Sequence, residues 1–165
     1  MANNCIDKAL DEMEIGARFV SMGRTVTESD VVNFCMLTGN WIEIHANAHS
    51  SQNTRFGKRV VQGSLVFSMM TGMILVGTAV QANYGVDALR FVSPVFIGDT
   101  IYATAELIRK KDKDERSSVG TFLMSVYNES GVLCQKSELS LLMYRRSEDI
   151  PVQEHLSWLN ATDKS

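Results

Sequence analysis

The chain lacks a disulfide framework. Its 165 residues hold three cysteines, Cys5, Cys35 and Cys134, odd in number and far apart. They read as reduced thiols of a cytoplasmic protein rather than as a cross-linked scaffold or a zinc site, and no metal is expected. Nothing beside them would activate a catalytic thiolate. The chain also lacks a basic field. Sixteen Lys and Arg stand against nineteen Asp and Glu, a net charge of −3, which argues against nucleic acid as a partner. Residues Met1 to Asp7 carry neither a basic n-region nor an apolar h-region, so no secretory signal is expected. Internal repeats, low-complexity tracts and linkers are absent as well. The last absence is local: no charged residue occurs between Val60 and Val86.

That uncharged run is long enough to cross a bilayer, which takes about 20 helical residues. It also carries Gln62, Ser64, Ser68, Thr71, Thr78, Gln81 and Asn83, with Gly72, Gly77 and Gly85. A helix apolar on most sides equally forms the buried centre of a domain, and no membrane span is expected. The length and the 45% hydrophobic content fit one domain with one core.

Around that centre the pattern alternates. Gly16–Val26 mixes apolar and polar residues as an early strand does. Thr27 with Asp30 three residues on marks a helix start, Val31, Phe34, Cys35 and Leu37 follow at helical spacing, and Gly39 is the stop. Residues 40–58 are polar and irregular, a mixture of loop and short helix. A central helix is predicted over 63–80. Strands are predicted at 89–93, 99–109, 118–128 and 132–144, with a charged tip over Lys110–Arg116 and a turn at Glu129-Ser130-Gly131. The domain is predicted over 1–147. A tail over 148–165 follows, in which Leu156, Trp158 and Leu159 can dock as a short helix. One early helix, one long apolar helix and consecutive antiparallel strands give an α+β fold, a sheet wrapped around the helix.

Two short motifs carry chemistry. Thr38-Gly39-Asn40-Trp41-Ile42-Glu43-Ile44-His45 resembles the Thr-Gly-Asp-x-Asn-Pro-x-His segment of the MaoC-like (R)-specific enoyl-CoA hydratases. Gln62-Gly63-Ser64-Leu65-Val66-Phe67-Ser68 resembles their His-Gly-x-Leu-x-x-Ser. Leu89–Thr100 is similar to the strand-turn-strand that follows the helix in that family, and the likeness covers residues 12–145. The resemblance implies the hotdog fold, with dimers or higher homo-oligomers joined edge to edge. It also implies acyl-CoA thioesters as substrates, reversible hydration of a trans-2-enoyl-CoA to a 3-hydroxyacyl-CoA, and no cofactor beyond the CoA thioester itself.

That reaction needs an activated water, an acid for the α-carbon and donors for the enolate oxygen. The resemblance assigns acid–base work to His45. It assigns carbonyl polarisation to the Gly63 backbone N–H, where a helix N-terminus and the missing Cβ both favour a close oxyanion. Ser68, Gln62 and Ser64 are the expected substrate contacts. Asn40 stands where the family has Asp; its amide cannot take the proton but can still orient the water by donating or accepting hydrogen bonds, so Asn40 is a catalytic candidate too. Ile42 and Glu43 replace the family's Asn-Pro, so Glu43 is a candidate second acid–base group. Asn40→Asp is expected to raise activity if the surrounding geometry is that of the family. Each residue has a plainer reading. His45 can be a solvated or capping residue, Glu43 an exposed loop acid, Gly63 a helix entry, and Ser68 bonded to its own helix. His49 reads as exposed. Met69, Met70 and Met73 read as core fillers or as lining of an acyl tunnel. The charged tip reads as a solvated turn or a CoA phosphate contact. Alternatives to a hydratase are a hotdog thioesterase and a non-catalytic acyl-CoA-binding or assembly subunit.

Overall fold

The computed structural model describes residues 5–151. The elements are β1 (Cys5–Ile6), β2 (Arg18–Val20), β3 (Arg24–Thr25), α1 (Glu28–Thr38), α2 (Glu43–Ala46), α3 (Ala48–Ser51), α4 (Gly63–Met73), β4 (Leu75–Val76), β5 (Val80–Phe91), β6 (Thr100–Asp112), β7 (Ser117–Asn128) and β8 (Leu133–Tyr144). The main sheet is antiparallel in the order β2-β6-β7-β8-β5, with β3 also on β6. A two-stranded parallel pair, β1 with β4, stands apart from it.

Period-two patterning sets the sheet's inner face. Ile101, Ala103, Ala105 and Leu107 of β6 are buried, and so are Phe122, Met124 and Val126 of β7 and Leu139, Leu141 and Met143 of β8. These side chains share one core with Leu65, Val66 and Met70 of α4. The sheet therefore packs its inner face on the apolar helix, the arrangement expected from the sequence. Among the described residues, no helix is long and apolar enough to cross a membrane.

α1 begins as the sequence predicts. Thr27 Oγ1 accepts from Asp30 N–H while the Asp30 carboxylate accepts from Thr27 N–H, a complete capping box. Gly39 closes the helix at φ 72°, a left-handed position that costs glycine little. Val31 and Cys35 face inward, but Leu37 is 83% exposed. At about 100° per residue it lies some 240° round the helix from Val31.

Two boundaries differ from expectation. α4 ends at Met73 rather than near Val80, and β5 starts at Val80 rather than at Leu89. Ile74 is already extended, and Leu75–Val76 pairs with Cys5–Ile6. The N-terminal segment thus claims the residues that the apolar run had assigned to helix. A Cβ on Gly77 would meet Asp7 Cβ at 2.9 Å and its Cα at 3.0 Å, which shows how closely those two segments pass. β5 hides in the sequence because it is an edge strand with shifted register at three places and Ala88 at φ 51°. Its side chains do not alternate cleanly. At the charged tip, β6 runs on to Asp112 and β7 starts at Ser117, leaving a shorter turn than predicted. Leu156, Trp158 and Leu159 lie outside the described residues.

Candidate active site

His45 sits on α2, a single turn between the Asn40 loop and α3. Asn47 caps α3 by accepting from His49 and Ser50 N–H. Two hydrogen bonds tie α2 to the segment that leads into α4. Val60 N–H donates to Ile44 C=O at 3.0 Å, and the His45 ring is bonded through Nδ1 to Val60 C=O at 2.7 Å. A carbonyl only accepts, so Nδ1 carries the proton. The neutral ring then keeps its lone pair on Nε2.

Two residues on, the chain enters α4. Val61 N–H donates to Val95 C=O at 2.8 Å, which fixes the entry against the segment after β5. Gln62 occupies the N-cap without bonding the first turn through its side chain. The first N–H groups of α4 therefore carry partial positive charge without a side-chain cap. Gly63 opens the helix beneath the Phe91 ring. A Cβ there would lie 2.6 Å from Cε1 and 2.7 Å from Cδ1 of that ring, so the missing Cβ is what lets the ring lie on the helix start.

His45 and Gly63 line one cavity of about 270 Å³, together with Val66, Phe91, Pro94 and Gln135. Arg55 and Cys134 are its other ionisable neighbours. The Arg55 guanidinium stands 4.7 Å above the Phe56 ring. Burial pushes the Cys134 thiol up from its ordinary value, which disfavours the thiolate and any nucleophilic role. Among the described residues, no carboxylate lines the cavity.

The other predicted site residues lie elsewhere. Asn40 is half-buried but does not line the cavity. Its backbone C=O accepts from Cys35 Sγ at 3.1 Å, and Cys35 Sγ accepts from Gln62 Nε2 at 2.9 Å. This chain of bonds joins the Asn40 loop to the start of α4. Gln62 is accordingly 1% exposed. Glu43 is exposed, and its carboxylate accepts from Asn47 Nδ2 at 2.7 Å and Ser50 Oγ at 2.6 Å. It braces α2 against α3 instead of facing the cavity. Ser64 is exposed, and Ser68 Oγ donates to Ser64 C=O at 2.9 Å, the helix back-bond. Ser68 borders a different hollow of about 230 Å³ with Ile6, Thr71, Asn83 and Leu141. His49 is exposed. Met70 is fully buried, while Met69 and Met73 pack partly buried on the core.

Sequence reasoning missed Gln135, Phe91 and Arg55. Gln135 had a readable signal: β8 turns residues 135, 137, 139, 141 and 143 inward, and two of those five are polar. Phe91 and Arg55 gave no such signal, because loop and edge-strand geometry places them.

Comparison with known proteins gives the family and the fold. The MaoC like domain family matches residues 12–128. The chain is 36% identical over 113 residues to Protein MaoC of Klebsiella aerogenes, covering 67% of this chain and 34% of that protein. It is 36% identical over 87 residues to the (R)-specific enoyl-CoA hydratase of Rhodospirillum rubrum, covering 51% of this chain and 59% of that one. The chain thus spans about a third of the first relative and under two thirds of the second. Among solved structures, the monoamine oxidase regulatory protein from Archaeoglobus fulgius superposes with a TM-score of 0.80 at 34% identity, covering 88% of this chain and 99% of that one. A Mycobacterium tuberculosis protein with a double hotdog fold gives a TM-score of 0.77 at 17% identity, covering 88% of this chain and 47% of that one. The fold is a hotdog.

Proposed function

The chain belongs to the MaoC-like domain family, and from that premise we propose that it catalyses reversible addition of water to a trans-2-enoyl-CoA, giving a 3-hydroxyacyl-CoA. One observation carries the reading: His45 and Gly63, from separate segments, line the same cavity. The thioester carbonyl takes the Gly63 N–H at the helix N-terminus, where enolate charge is stabilised as it develops. His45 Nε2, with Nδ1 held by Val60, takes a proton from water and returns one to the α-carbon. The CoA thioester is the substrate, and the mechanism calls on no further cofactor.

The acid–base pair of the family is reduced here to one titrating group. Asn40 cannot accept the proton, and Glu43 is engaged with Asn47 and Ser50. That observation favours a second reading, a subunit that binds acyl thioesters without turning them over. A thioesterase is favoured less, because among the described residues no carboxylate lines the cavity.

The working unit we propose is a cytoplasmic homodimer. β5 is one edge of the main sheet, unpaired on its outer side among the described residues, and exposes Tyr84, Val86 and Phe91, followed by Val92. An apolar unpaired edge is a template for a second strand, and a second copy of β5 supplies one.

Loss of enone absorbance on adding crotonyl-CoA tests the reaction. Steady loss is expected. No loss at high enzyme concentration, with thermal stabilisation by the thioester intact, would replace the hydratase with the binding subunit.

A further inference from the structure

Charge is unevenly spread around the cavity. From Ile44 to Val86 the chain has no Asp or Glu, and its Lys and Arg residues there are Arg55, Lys58 and Arg59. Two of these three are engaged elsewhere. Arg59 is bridged to Glu28, and Lys58 stands 4.1 Å over the Phe96 ring; both line a separate hollow. Arg55 lines the cavity that holds His45 and Gly63. Among the described residues its guanidinium makes no ion pair and no hydrogen bond. Its contact is the ring of Phe56, another residue of the cavity wall.

The wall therefore carries a full positive charge and the positive end of α4, with no acid beside them among the described residues. An enoyl thioester with a plain alkyl tail brings nothing to match the guanidinium. The Arg55 side chain is exposed, and no bond among the described residues holds it away from a ligand. A sphere of the cavity's volume, about 270 Å³, is about 8 Å across, and an arginine side chain extends about 6 Å from its Cα. The fork can thus meet an anionic group bound in the same space as the reacting carbons.

Two parts of a CoA thioester are anionic, a carboxylate on the acyl group and the phosphates of CoA. The pantetheine arm puts about a dozen bonds, roughly 15 Å when extended, between the thioester sulfur and the first phosphate. That is about twice the width of the cavity. A carboxylate a few carbons beyond the reacting pair lies within it.

We propose that Arg55 determines specificity by pairing with a carboxylate on the acyl group, so that the preferred substrate is the CoA monothioester of a short dicarboxylic acid. A guanidinium takes a carboxylate through two parallel bonds, and apolar walls such as Val61, Val66 and Phe91 strengthen such a pair by excluding water. This inference rests on the acyl-thioester reading of the cavity.

The test is binding, so that it does not depend on turnover. Dissociation constants are measured for succinyl-CoA against butyryl-CoA and for glutaryl-CoA against pentanoyl-CoA. Each acyl group is also offered as its pantetheine thioester, which carries no phosphate. Wild type and Arg55→Met are compared. The variant keeps an unbranched stem, loses the charge, and at an exposed position is expected to keep its Tm. Wild type is expected to favour the carboxylated member of at least one pair by about tenfold or more, in the CoA and the pantetheine series alike. Arg55→Met is expected to lose that preference in both series. Equal affinities in wild type overturn the proposal, and so does a preference that survives in Arg55→Met. A loss in Arg55→Met that butyryl-CoA shares with succinyl-CoA, and that vanishes with the pantetheine thioesters, overturns it as well and gives Arg55 to the CoA phosphates. Crotonyl-CoA hydration is followed in parallel. Hydration without carboxylate preference sinks this inference alone, whereas carboxylate preference without hydration of any enoyl thioester sinks the hydratase reading alone.

Discussion

His45 is held by Val60. The 2.7 Å bond from Nδ1 to the Val60 carbonyl fixes both the ring and its tautomer, two residues before the cap of α4. The same peptide segment that orients the imidazole leads into the helix whose first residue lines the cavity. A substrate bridging His45 and Gly63 therefore meets two groups set by one short run of backbone.

His45→Ala removes the one imidazole that lines the cavity among the described residues. Hydration of crotonyl-CoA is expected to fall about 100- to 10,000-fold, as for loss of a general acid–base group. The effect belongs in kcat, with thioester binding by thermal shift little changed. A His45→Ala enzyme at full rate removes His45 from the mechanism.

Gly63 and Phe91 make a second coupled pair. Gly63→Ala places a methyl within 2.6 Å of the Phe91 ring, so the ring must swing away. Phe91 is 56% exposed and can do so, which predicts a Tm change of a few degrees at most. Activity should drop far more, because the methyl keeps the carbonyl from the N–H. The double variant Gly63→Ala, Phe91→Ala separates the effects. Relative to Phe91→Ala alone, the added methyl should cost almost no stability and most of the remaining activity. Full activity in the double variant would show that the N–H is not the carbonyl's donor.

Glu43 and Asn40 carry opposite expectations from those the sequence raised. Glu43→Gln loses charge-assisted bonds to Asn47 Nδ2 and Ser50 Oγ that brace α2 against α3. A stability loss of about 1 kcal/mol is expected, with kcat within about twofold of wild type. Asn40→Asp, which the family pattern predicts to raise activity, adds a carboxylate outside the cavity lining and is expected to change kcat less than tenfold. A large gain in Asn40→Asp would show that this side chain reaches the substrate after all. A large loss in Glu43→Gln would do the same for the carboxylate.

These outcomes trace to what a sequence can and cannot encode locally. The capping box at Thr27 and Asp30, the stop at Gly39 and the alternation of Ile101, Ala103, Ala105 and Leu107 are short-range patterns, and each was legible. Boundaries set by distant pairing were not. Leu75–Val76 is strand because Cys5–Ile6 lies beside it, and neither segment announces the other. The site divides in the same way. His45 and Gly63 stood out through family motifs, and they line one cavity. Glu43 lies two residues from His45, yet the turn of α2 sends its carboxylate toward Asn47. Gln135 lies far away in sequence, and the β8 pairing brings it in.

The link between Glu28 and Arg59 predicts an acid limb to stability. Arg59 Nη1 donates to Glu28 Oε1 at 2.8 Å, and its Nη2 bonds the other carboxylate oxygen, a bidentate bridge from α1 to the residue before Val60. These bonds hold the Glu28 carboxyl below its ordinary value. A carboxyl whose folded-state pKa is depressed contributes stability that is fully present above its unfolded value, about 4.3, and is lost as pH falls through the folded one. Half of the Glu28 side chain is exposed, so solvent screening keeps the contribution modest. Thermal melts of wild type and Glu28→Gln from pH 7 to pH 3 check this. The wild-type advantage is expected to persist to about pH 4.5 and shrink below it. Added salt should reduce it at pH 7. An advantage that stays constant through pH 3 would assign it to packing rather than to charge. Because the bridge lands beside Val60, the same variant is also expected to loosen the segment that holds His45, lowering kcat together with Tm.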